Sequence, residues 1–257
     1  MKASSAMQAI FAWLRMVLWV GLSLQLVFVA LIGLMHFMDP PSTAFERSQI
    51  WQIVRQQGRL PWRQDWVDAS QISRHLKRAV MASEDSAFLQ HNGVWWESIE
   101  KAWGRNEKAK AKAAQRAAKR ADQTGGQAAA LAPAAKIVGG STITQQLAKN
   151  LMLSGERTLL RKGQEFVLTM ALEALLPKQR ILEIYLNHVE WGEGVFGAEA
   201  AARHYFKKPA AQLSPWEAAR LAVMLPRPRY FEKRPQSTYL LDRTQTIVTR
   251  MNDVVAP

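Results

Sequence analysis

The sequence contains no cysteine. That excludes a disulfide framework, a thiolate-ligated zinc site and a thiol nucleophile. It leaves the compartment open, because a protein of an oxidising compartment need not use cysteine. Acidic residues are few: 21 Asp and Glu stand against 34 Lys and Arg, a formal net charge of +13. Such an excess implies an anionic partner: nucleic acid, a membrane surface or a phosphorylated substrate. Alternating strand patterns are scarce and no internal repeat is present. Apolar residues are plentiful, at 48%, which rules out wholesale disorder. A chain of 257 residues suits one domain with an attachment, or two small domains.

The charge is unevenly placed. Residues 107–136 hold seven Lys or Arg and two acids among thirteen alanines. A tract of this kind reads as a solvated helix or a surface insertion, close to anionic lipid. Thr124-Gly125-Gly126 and Pro133 interrupt it, so one continuous helix is not expected. By contrast, Met16 to Met38 carries no charge. As a helix it would run about 34 Å at 1.5 Å per residue, enough for the roughly 30 Å hydrocarbon core. It is too long for the apolar region of a cleaved signal peptide, and no A-x-A pattern follows it. Lys2 and Arg15 precede the span and Asp39 follows it. The positive-inside rule then puts residues 1–15 in the cytoplasm and residues 39–257 outside.

The rest reads mainly as helix. Ile72, Leu76, Val80 and Glu84 fall on one helical stripe. Thr142-x-x-Gln145 is a capping box opening a second helix. Leu159–Leu176, Gln179–Asn187 and Ala198–Phe206 follow. Ser214-Pro215-x-Glu217 supplies an N-cap, a proline at N1 and an acid at N3 for a sixth. The string Gly192-Glu193-Gly194-Val195-Phe196-Gly197 matches a dinucleotide-binding pattern literally. A helix precedes it where that pattern needs a strand, so it reads as a tight turn. His36, His75, His188 and His204 lack paired metal-ligand spacing.

Three features carry chemistry. Glu84 lies on the apolar stripe, where desolvation raises a carboxylate's pKa and suits a general base; a helix-end pair with Arg74, Lys77 or Arg78 is the plain alternative. Glu165 faces Leu168, Thr169 and Leu172, with an i,i+4 salt bridge to Arg161 as its plain alternative. Two inward carboxylates on different helices are usual equipment for glycosidic-bond chemistry. Lys149, Arg157, Arg161 and Lys162 gather beside a helix start, an arrangement fit for a diphosphate or for solvated surface charge.

The sequence resembles the peptidoglycan glycosyltransferases of lysozyme-like fold, in particular the monofunctional biosynthetic transglycosylases. Glu84-Asp85-x-x-Phe88-x-x-His91-x-Gly93 is similar to the family's first motif. Gly139-Gly140-Ser141-Thr142-Ile143-Thr144-Gln145-Gln146-Leu147-Ala148-Lys149-Asn150 is similar to the second at every position. Arg161-Lys162-x-x-Glu165, Arg180-Ile181-Leu182-Glu183-x-Tyr185-Leu186-Asn187 and Leu213-Ser214-x-x-Glu217-Ala218-Ala219-x-Leu221-Ala222 resemble the third, fourth and fifth. Trp95 stands where the family usually has Asp, Gln164 where some relatives carry Lys, and residues 107–136 exceed the usual link between the first two motifs.

The resemblance implies a mainly α, lysozyme-like glycosyltransferase domain with a smaller membrane-proximal subregion. The expected division is residues 1–15 cytoplasmic, 16–38 anchor, 39–70 membrane-proximal linker, 71–235 catalytic domain and 236–257 tail. A chain ending at Pro257 leaves no room for a transpeptidase domain. The implied reaction polymerises lipid II into β-1,4-linked glycan and releases polyprenyl diphosphate. Glu84 is then the general base and Glu165 the second essential acid. Lys149, Arg157 and Lys101 meet the donor. Ser141, Gln145, Gln146, Asn150, Arg161 and Lys162 complete the substrate site. No cofactor is obligatory, although a divalent cation (Mg or Mn) would help screen the diphosphate. The expected partners are lipid II, the growing strand, the bacterial inner membrane crossed once, and proteins of cell-wall synthesis or division; nucleic acid is not one. A membrane-bound lytic transglycosylase or muramidase, and a non-enzymatic basic scaffold, are the competing readings. A lytic enzyme needs no diphosphate clamp, and a scaffold needs no inward glutamates.

Overall fold

A computed structural model describes residues 5–58, 62–97, 100, 104, 107–109, 111–115, 140–153 and 158–257. Lys101, Arg157 and residues 116–136 of the basic tract lie outside the described residues.

Helix α1, Ser5–Leu34, is apolar and long enough to cross a membrane from Met7 onward. It stops four residues before the expected end at Met38, and Met35–Phe37 form a turn. Pro40 and Pro41 account for this: proline lacks an N–H and disfavours helix in the residue before it. The carbonyls left free are taken by Arg180, whose guanidinium donates to Met35 O at 2.8 Å and Met38 O at 3.0 Å and pairs with Asp39 at 2.7 Å. A cation at a helix C-terminus also complements the macrodipole.

Residues 39–70, expected as a linker, are largely folded. Helix α2, Ala44–Gln57, opens with a Thr43/Glu46 capping box and ends at Gly58 in the left-handed region. Glu46 is fully buried, bonded to His188 Nδ1 at 2.8 Å. Strand β1, Arg63–Gln64, follows. The six expected helices are all present: α3 (Arg74–Glu84), α4 (Ile143–Met152), α5 (Leu159–Leu175), α6 (Lys178–His188), α7 (Ala198–Phe206) and α8 (Pro215–Met224). Thr142 and Ser214 make the expected capping boxes. The glycine string forms strands β2, Glu190–Gly192, and β3, Val195–Phe196, joined antiparallel, with β1 parallel to β3 on the other side. Gly197, at φ 83°, starts α7 so close to the chain that a Cβ would lie 2.6 Å from Asn187 O. It is a hairpin and a helix start, not a nucleotide loop.

After the short helix α9 (Pro228–Glu232), the expected tail folds as α10, Thr238–Arg250, and a terminal 3-10 turn. Leu240, Ile247, Met251 and Val254 join the core, so the folded body extends past residue 235. Helix α10 packs on α3 and α8; α4 packs on α2, α5 and α6; α1 packs on α5. Glu84, at the end of α3, therefore faces the group built around α4.

Candidate active site

The first motif locks a corner. Asp85 is buried and accepts from His91 Nε2 at 2.9 Å and from the Ile143 N–H at 3.0 Å, so it holds its own loop and the start of α4 together. The Gly93 N–H donates to His91 Nδ1 at 3.1 Å, which leaves the ring proton on Nε2 for Asp85. Thr142 Oγ1 donates to Gly93 O at 2.6 Å. Gly93 sits at φ 82°, and a Cβ there would lie 2.6 Å from Thr169 Cγ2 of α5. Trp95, the departure from the family pattern, stacks on His91 with centroids 6.5 Å apart and planes at 19°.

The burial of Ile143, Thr144, Gln145, Leu147, Ala148 and Leu151 turns one face of α4 inward. Gln146 and Lys149 stand together on another, three residues and about 4.5 Å of rise apart. Gln146 Nε2 donates to Glu84 Oε2 at 3.0 Å, while Tyr185 Oη donates to Gln146 Oε1 at 3.0 Å. Fully buried Tyr185 has its pKa pushed well above the usual value, first by desolvation and then by Glu84 and Asp85, so it keeps the proton it donates. It fixes the amide so that the NH2 points at Glu84. Ser83 Oγ gives the carboxylate a longer bond at 3.4 Å.

Glu84 forms no salt bridge among the described residues; Arg78 instead donates to the carbonyls of Val254 and Asn252. Desolvation raises the pKa of Glu84, the bonds from Gln146 and Ser83 pull it back, nearby Asp85 raises it further and Arg243 lowers it.

At the other end of that face Glu165 is buried and held by Arg161 Nη1 at 3.1 Å and by Lys162 Nζ. The i,i+4 pair anticipated from the sequence is thus formed. Lys149 stands near all three: desolvation is the largest cause of its lowered pKa, Glu165 opposes it, and Arg161 and Lys162 reinforce it. Three cations share one carboxylate. Arg161 Nε is buried without a hydrogen-bond partner among the described residues. The cluster is short of negative charge and holds an unused donor, the condition of an anion site.

The structure thus brings Glu84 together with Gln146, and Glu165 with Lys149, Arg161 and Lys162. Gln145 is engaged in the capping box, its Oε1 accepting from the Thr142 N–H at 3.2 Å. Ser141 is exposed before α4, and Asn150 lies half-buried beside Lys149. Tyr185 and Asp85 were missed as site residues although both lie inside quoted motifs; a buried phenol or carboxylate in a motif signals a supporting bond, which spacing alone does not reveal. Among the described residues no group of three or more His, Asp or Glu could hold a metal ion.

A helical body with a desolvated, hydrogen-bonded glutamate and, one turn of α4 beyond its Gln146 partner, a glutamate-anchored cation cluster has the equipment of the glycan-processing enzymes built on lysozyme-like helices. The model of the Transglycosylase family matches residues 52–118 and 122–252, and the chain belongs to that family. It is 46% identical over 236 residues to the biosynthetic peptidoglycan transglycosylase of Burkholderia orbicola (strain MC0-3), covering 92% of this chain and 86% of that one. To the protein of the same description from Bordetella pertussis it is 45% identical over 250 residues, 97% of this chain and 95% of the relative. The lysozyme-like helical fold read from the motifs is the fold of this family.

Proposed function

We propose that the chain is a peptidoglycan glycosyltransferase that polymerises lipid II into β-1,4-linked strands with release of polyprenyl diphosphate. One observation carries the reading: a single face of α4 presents Gln146, bonded to a glutamate of raised pKa, and one turn on Lys149, in a cluster with surplus positive charge. Glu84 takes the proton from the acceptor 4-hydroxyl as that oxygen attacks the donor's anomeric carbon, which inverts. The bond to the diphosphate breaks, and its electron pair leaves with an oxygen already anionic. Lys149, Arg161 and Lys162 meet that charge, with Arg157 as a further member on the motif's evidence and Lys101 near the donor; no proton donor is needed there. Glu165 aims two of the cations. Charge neutralisation from the chain itself makes a metal non-obligatory; Mg or Mn would add only counter-charge.

The same reading places α1 once through the inner membrane, with residues 1–15 cytoplasmic and the body periplasmic, among proteins of cell-wall synthesis or division and away from nucleic acid. Purified chain incubated with lipid II should give long glycan, with or without a chelator of divalent metals. Shortened glycan from mature wall, with no polymer from lipid II, would establish the lytic activity instead.

A further inference from the structure

A polar pocket of about 320 Å³ opens between β1 and α7. Trp62, Arg63 and Asp65 line it from the strand and its flanks, and Ala200, Arg203 and His204 line it from one face of α7. It is separate from the catalytic cleft: α6 packs on both α4 and α7, and among the described residues no hydrogen bond or ion pair links these side chains to Glu84, Gln146 or the cation cluster. The polar groups are held in place. Arg63 Nη1 donates to His204 Nδ1 at 3.0 Å, so the ring proton stays on Nε2, which faces Glu232 Oε1 at 3.4 Å. Glu232 is itself fixed by the Glu193 N–H at 2.9 Å. Arg203 Nε donates to buried Glu199 at 2.7 Å, and the other oxygen of Glu199 accepts from the Ala210 N–H at 2.7 Å. Both guanidiniums are thus tied at one edge, and their remaining side-chain N–H groups meet no acceptor among the described residues. Asp65 is exposed and its carboxylate has no hydrogen-bond partner among them. Trp62 is braced against Phe196, with ring centroids 5.9 Å apart.

We propose that this pocket is a glycan-holding site outside the catalytic cleft, taking one sugar of a neutral, N-acetylated strand. A pyranose ring offers an apolar C–H face to an indole, and hydroxyl and acetamido groups at its rim. The fixed N–H groups of Arg63 and Arg203 meet the oxygens, and Asp65 accepts from a hydroxyl. The charge balance separates this ligand from a free anion. Arg63 and Arg203 stand against Glu199, Glu232 and Asp65, so no surplus positive charge gathers here as it does around Lys149. Donors already held by the fold need little ordering on binding. The sugar chemistry rests on the pocket; that the strand is N-acetylated glycan rests on the polymerase reading. Held there, a strand of wall glycan keeps the enzyme beside the material it extends.

The test uses full-length protein in lipid nanodiscs, without lipid II, and two soluble probes. Chitotetraose is a neutral, β-1,4-linked, N-acetylated tetramer; acetyl-triglycine ends in a free carboxylate. Calorimetry should show chitotetraose bound equally by the parent and by Glu84→Gln. Trp62→Ala should weaken it about tenfold, for loss of the stacking face. Asp65→Ala and Arg203→Ala should each weaken it about fivefold, for loss of one hydrogen bond. All three should polymerise lipid II at the parental initial rate. Melting is read on the same samples; Asp65 has no partner to lose, so Asp65→Ala carries the test if the other two fold poorly. Absence of chitotetraose binding by the parent, or parental affinity in the folded pocket variants, overturns the proposal. So does loss of binding in Glu84→Gln, or a slowed polymerisation rate in a folded pocket variant, either of which makes the pocket part of the cleft. Binding of acetyl-triglycine that the pocket variants abolish overturns it too, since the pocket is then a carboxylate site. Failure of the polymerase reading is seen separately, as absence of polymer from lipid II with the parent chain.

Discussion

Glu84 is held in a state the fold itself disfavours. For Glu84 the sign of the linkage is definite. Its folded pKa is raised above the ordinary 4.5, so the ionised form is less at home in the fold than in the unfolded chain. Below 4.5 the group is protonated in both states and costs nothing; the cost grows as pH rises towards the folded pKa and is fully present above it. Glu84→Gln should therefore melt higher than the parent at neutral pH, with the difference vanishing in acid, while turnover falls about 10²–10⁴-fold for loss of a general base. Thermal melts from pH 4 to 8 and lipid II polymerisation on the same preparations check both halves. Parental activity should itself decline in acid with an apparent pKa above the ordinary carboxylate value. Lys149→Met should lower turnover about 10²–10³-fold, as for loss of one preorganised donor. It should also abolish the rise in melting temperature that inorganic diphosphate gives the parent. Equal ligand-induced shifts in parent and variant would remove Lys149 from the clamp.

At the scale of elements, the site depends on bonds that join helices. Asp85→Ala strands the His91 Nε2–H and the Ile143 N–H, each a buried donor costing about 1–3 kcal/mol when unpaired. A loss of about 2–5 kcal/mol in urea unfolding is expected, with activity, because α4 loses its fixed approach to Glu84. The amides of Gln25 on α1 and Gln164 on α5 bond reciprocally, at 2.6 and 3.0 Å. Gln25→Leu and Gln164→Leu should each destabilise the protein in membranes, and the double variant should lose less than the sum of the two, with a coupling of about 0.6–2 kcal/mol in a double-mutant cycle.

The elements legible in the sequence were those with local signals: Thr142-x-x-Gln145 and Ser214-Pro215-x-Glu217 are complete within four residues, and the structure forms both caps. Thr43-x-x-Glu46 was an equally complete signal for α2, while Ser237 caps α10 with Leu240 at N3 and so makes no capping box; each lies outside the motifs that organised the reading. Nothing local announces the pairings of Glu46 with His188, of Gln25 with Gln164 or of Arg180 with Met35. Each joins residues more than a hundred positions apart, and only tertiary packing decides them. The same holds for the two departures from the family pattern. Trp95 is understood through the face of His91, and Gln164 through Gln25. Motif spacing gathered Glu84 with Gln146, and Lys149 with Arg161, Lys162 and Glu165; at Gln145 the same motif left a capping role and a substrate contact equally open, and the side chain closes the cap.

For the whole molecule, the basic excess falls into place if the body rests on an anionic bilayer, where each basic residue near the surface contributes about 1 kcal/mol. Leu159 and Leu160, 92% and 89% exposed at the start of α5, lie on the helix that packs along α1. A reporter fused after Pro257 should be active only if it functions outside the cytoplasm; activity of a cytoplasmic reporter there would reverse the proposed topology. The docking of α1 on α5 has a consequence for the lipid environment. An anchor on a loose tether tilts freely to suit the bilayer it crosses. Here the part of the span from Met16 to Leu34, about 28 Å as helix, is braced to the catalytic body through Gln164 and Arg180. Hydrophobic mismatch must then tilt or sink anchor and body together. Membrane thickness becomes a control on turnover: in vesicles of phosphatidylcholines of increasing acyl length, polymerisation should pass through a maximum, with Gln25→Leu flattening the curve.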